Sequence, residues 1–122
     1  MRDQLEAPPP DLERLESLWE AGLKSVFAQY QVAAEPVLAL AAALVEVGCG
    51  MQRLGEGLAT PGDLLLGDLC LARASRLLAD LGDQPRQVAF AGVVESVSTS
   101  AAASTPLPSV RALLLAAIGS GR

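Results

Sequence analysis

The chain has fourteen Asp and Glu residues and no histidine. Histidine is the commonest general base and transition-metal ligand, so its absence removes most self-contained acid–base and metal chemistry. Carboxylates could still hold divalent cations, as adjacent pairs or at i and i+4 on one helix face. Here Glu46, Glu56, Asp63, Asp68 and Asp80 are dispersed. Asp63 and Asp68 stand five apart, about 140° round a helix. Serine and threonine gather between 96 and 105, but no His or Lys lies nearby to activate a hydroxyl. Cys49 and Cys70 are too few for a disulfide framework and read as small core residues. The expectation is a chain that does not catalyse alone and that binds no cofactor or metal of its own.

Other polar side chains have partner-binding or structural readings. Arg73, Arg76 and Asp80 form a stripe that either meets an acidic patch on a partner or is the wet face of a helix. Asp68 falls on the opposite side, among Leu64, Leu71 and Ser75. A carboxylate there either pairs across the interior or a subunit interface, or sits partly solvated at a helix margin. Gly67, in mid-helix, costs about 1 kcal/mol relative to Ala, which points to close helix packing. A net charge of −5 with a single lysine lacks the basic stripe that nucleic acid requires.

The elements that must position these groups read as helices throughout. The apolar half of the chain is mostly Leu and Ala, with Trp19, Phe27, Tyr30 and Phe90 the only aromatics. Residues 1–10 end in three prolines and read as an extended leader, followed by one helical domain over 11–122. Asp11 suits the cap of a first helix, with apolar residues at 12, 15, 19, 23, 26, 27 and 30 on one face. Pro36 opens a second, all-apolar helix that the pattern ends at Val47, with Gly48 as the stop and a glycine-dense loop to Gly57. Such a helix must be surrounded by protein, and few helices are on hand to do so, which predicts apolar surface left for another chain.

Thr60, Pro61 and Asp63 start a third helix to Leu81, with Gly82 as its left-handed terminator. Asp83 and Pro85 begin a fourth, to about Ala102, and Thr105-Pro106 caps a fifth from Leu107 to Ile118. The predicted fold is all-α with five helices. Pro36 to Val47 is roughly twelve residues against about twenty needed to span a bilayer, so no transmembrane segment is expected. With no cationic segment ahead of an apolar one at the N-terminus, the expected location is the cytoplasm.

Leu64-Leu-Leu-Gly-Asp-Leu-Cys-Leu-Ala-Arg-Ala74 resembles the segment that follows the first metal-binding motif of all-α trans-prenyl diphosphate synthases. Ala41-Ala-Ala-Leu-Val-Glu46 is similar to the start of the helix that opens their metal site. Cys49 would then stand where the family has its first His, and Gly55-Glu56-Gly57 falls near the His-Asp-Asp. The Arg-Arg-Gly segment and both Asp-rich motifs are missing, while Arg111 and Ala112 would take the places of a Lys-Thr pair, and Arg111 would touch a diphosphate only from the back of a partner's site. The pattern, with the pair Met51-Gln52 after the second helix, resembles the small noncatalytic subunits of two-component prenyl diphosphate synthases.

The resemblance implies isoprenoid chain synthesis in a heterodimer or heterotetramer with a catalytic chain that carries the Mg²⁺. This chain would complete the partner's fold and shape its elongation tunnel. Ala42, Ala43, Gly48 and Gly50 would leave room for a long tail, and Met51 and Gln52 would either contact it or serve the loop or core. Two other expectations stand beside this one: a helical homodimeric module unrelated to prenyl transfer, and an enzyme half completed by a second chain through Glu56.

Overall fold

The computed structural model describes residues 17–52, 61–103 and 109–120, and among them every regular element is helical. A short π-helical stretch, Trp19–Leu23, leads into α1 (Lys24–Tyr30). There follow α2 (Pro36–Gln52), α3 (Pro61–Leu81), α4 (Gln84–Ala102) and α5 (Val110–Ser120). Among the described residues the fold is all-α with five α-helices, as expected. The 1–10 leader, the Asp11, Thr60 and Thr105-Pro106 caps and the region of Glu56 lie outside the described residues.

Helix α2 is the hub, touching every other element and packing most extensively on α3. Leu38, Ala39, Ala41, Ala42, Ala43, Leu44, Val45 and Cys49 are all at most 5% exposed, so nearly its whole circumference is covered within this one chain. The lack of a polar face on α2 is met largely within this chain, while apolar surface stays exposed elsewhere, at Leu64, Leu65 and Val88 among others. The neighbours bury stripes of helical period: Cys70, Ala74 and Leu78 on α3, Phe90, Val93 and Val97 on α4, and Leu114, Ala117 and Ile118 on α5. Burying a residue such as Leu78 contributes roughly 1.5–3 kcal/mol.

The caps explain the helix ends. Glu35 turns back to accept hydrogen bonds from the backbone N–H of Val37 (3.1 Å) and Leu38 (3.2 Å), with Pro36 at the first helical position. At the end of α3 the N–H of Gly82 donates to Ala79 O and that of Asp83 to Leu78 O. This is a Schellman closure, and Gly82 supplies its positive φ of 76°. Asp83 caps α4 through the Arg86 N–H and pairs with the Arg86 guanidinium at 3.0 Å. Arg86 Nε also donates to Ile118 O, clasping the start of α4 to the end of α5.

Two boundaries differ from the sequence reading. Gly48 does not stop α2, which runs on through Gly48, Cys49 and Gly50 to Gln52. The reason is packing: a Cβ at Gly48 would lie 3.1 Å from the Gly67 carbonyl oxygen and 3.1 Å from Leu71 Cγ and Cδ2. Glycine here lets α2 and α3 approach closely, and Gly67 lies buried at the same crossing. Met51 is accordingly half-buried on a helix, not in a loop. Helix α5 starts at Val110, later than Leu107, because Ser109 caps it: its hydroxyl accepts the Ala112 N–H at 3.2 Å and its carbonyl accepts the Leu113 N–H.

Candidate functional site

The described residues converge polar side chains in one place, on the flank of the otherwise apolar α2. Glu46 is the acid of that helix, and its carboxylate is 23% exposed. Arg111, from the first turn of α5, donates to it through both edges of the guanidinium, Nε to Oε1 at 3.0 Å and Nη2 to Oε2 at 2.8 Å. Tyr30, the last residue of α1 and 1% exposed, donates its hydroxyl to Oε1 at 2.7 Å. Arg111 Nη1 donates to Gln29 Oε1, and the guanidinium lies 5.7 Å from the centroid of the Tyr30 ring. Three helices thus meet on one carboxylate.

The electrostatics follow from these contacts. Burial pushes the Glu46 carboxyl up, but hydrogen bonds from Arg111 and Tyr30 and the Arg111 charge outweigh it and hold the group below its ordinary value. Tyr30 moves up because burial and the adjoining carboxylate both disfavour the phenolate. Arg111 is raised by its hydrogen bond to Glu46 and stays charged. Glu46 is thus an ionised acceptor with its oxygens engaged, poorly suited to take a proton from a substrate. A magnesium ion would have to displace the guanidinium from both oxygens. Among the described residues no group of three His, Cys, Asp or Glu side chains could hold a metal. These residues do not fit a magnesium centre.

Of the residues singled out from sequence, Gly67, Asp68, Arg73 and Arg76 lie along α3 and Met51 and Gln52 end α2. Gly67 serves the α2–α3 crossing. Asp68 is exposed on α3. Arg76 pairs with Asp80 at 3.3 Å, with both side chains more than half exposed. Such an i,i+4 surface pair contributes about 0.3–0.5 kcal/mol, as the wet face of a helix would. Arg73 lies half-buried on the same helix, and Gln52 ends α2. Cys49 and Cys70 are buried free thiols. Burial raises both and pushes Cys70 to about 11, so neither offers a thiolate at neutral pH.

Sequence alone does not join Tyr30, Glu46 and Arg111 into one cluster. A usable signal was present: one acid in an all-apolar helix requires a partner, and Arg111 is the cation of an equally apolar segment. The class this arrangement defines is a helical bundle closed by an internal ion-pair network. Comparison with known families, curated proteins and solved structures finds no match. No helix among the described residues is long and apolar enough to cross a membrane.

Proposed function

We propose that this chain acts as a noncatalytic helical subunit whose work is to bind another protein. In its finer form, the partner is a catalytic trans-prenyl diphosphate synthase that holds the Mg²⁺, and this chain shapes the tunnel into which the product grows, in the cytoplasm. The observation that carries the reading is the pairing of α2 with α3. The two segments that resemble the synthases, Ala41–Glu46 and Leu64–Ala74, lie on helices that pack against each other, tightly at Gly48 and Gly67. The engagement of Glu46 and Arg111 with each other supports a structural role for both. Exposed apolar side chains, among them Leu64, Leu65, Leu81, Val88 and Leu115, offer contact area to a partner.

The test is to mix the purified chain with the complete trans-prenyl diphosphate synthase of the same organism, with Mg²⁺ and an allylic diphosphate. Comigration in size-exclusion chromatography, together with a changed rate or product length, is the expected result. Loss of both in Leu65→Asp or Val88→Asp, with helicity retained, would place the contact. Absence of a complex and an unchanged product distribution would overturn the prenyl-specific form. Turnover by the chain alone at the rate of ordinary synthases would overturn the noncatalytic form.

A further inference from the structure

We draw no further inference here: the strongest candidate, the open apolar groove between α3 and α4 lined by Leu71, Ala74, Leu78, Phe90 and Val94 over Val45 of α2, carries nothing because nothing in the structure shows what covers it.

Discussion

Replacing Arg111 with Ala should destabilise the bundle by about 2 kcal/mol, working through the carboxylate it leaves behind. A fully buried ion pair broken on one side costs about 3–5 kcal/mol, and an exposed pair about 0–1. The Glu46 carboxylate is 23% exposed and the Arg111 side chain 39%, so water reclaims part of the loss and the intermediate figure applies. For a domain of this length about 2 kcal/mol corresponds to a fall in Tm of roughly 6–10 °C, measured by circular dichroism at 222 nm. Combining Arg111→Ala with Glu46→Gln should cost less than the sum of the two, since the second change removes the charge that the first strands. Single losses below about 0.5 kcal/mol that simply add would refute the coupling.

The same pair gives a pH signature. Because the folded Glu46 carboxyl lies below its ordinary value, its contribution is present above the unfolded value and is lost as pH falls through the folded one. Arg111→Ala removes two of the three contributions that lower it, so the variant should lose less stability than the natural chain as pH falls through this window. Tyr30 has the opposite sign: its folded value is raised, so its contribution is complete below the unfolded value of 10.0 and is lost only on going more alkaline. Identical acid limbs for the variant and the natural chain in urea melts would refute this reasoning.

Gly48→Ala should destabilise, because overpacking of about 1–3 kcal/mol against Gly67 and Leu71 exceeds the helix-propensity gain of about 1. Gly50→Ala, with nothing within 4 Å of the new Cβ, should instead stabilise by up to about 1 kcal/mol, and urea melts that rank the two the other way would contradict the crossing. Gly82→Ala should cost about 1 kcal/mol by forcing a Cβ into a φ of 76°, visible as a lower thermal midpoint. Leu78→Ala, at 1% exposure, should lose about 2–5 kcal/mol in the same melts.

Gly48 and Gly82 show how far sequence patterns reach in this chain. Gly82 follows the last periodic leucine and precedes Asp83 and Pro85, so all the information for a helix end is local. Gly48 sits in a similar place after Val47, but its reason for being glycine is the carbonyl of Gly67, nineteen positions along the chain. No local pattern separates those two uses of one residue. The five helices were readable because period and caps are local properties. The Glu46 cluster was not, because sixteen residues separate Tyr30 from the acid and sixty-five separate it from Arg111. Exposure is likewise not legible from residue type: Leu64 and Leu65, on the helix that carries Asp68, are 44% and 52% exposed.

The sixty-five-residue gap between Glu46 and Arg111 has a temporal meaning during synthesis. At about 5–20 residues per second, the hub helix leaves the ribosome roughly 3–13 seconds before the arginine that neutralises its carboxylate exists. In the later part of that interval, once Leu81 is made, α2 and α3 can pair through their glycine crossing, while one flank keeps an acid that only water and Tyr30 can satisfy. A nascent chain arrested before residue 110 would therefore hold a hairpin biased toward keeping Glu46 wet. Arrival of α5 turns that flank from a hydrated edge into a closed seam, so closure of the seam waits on translation of Arg111.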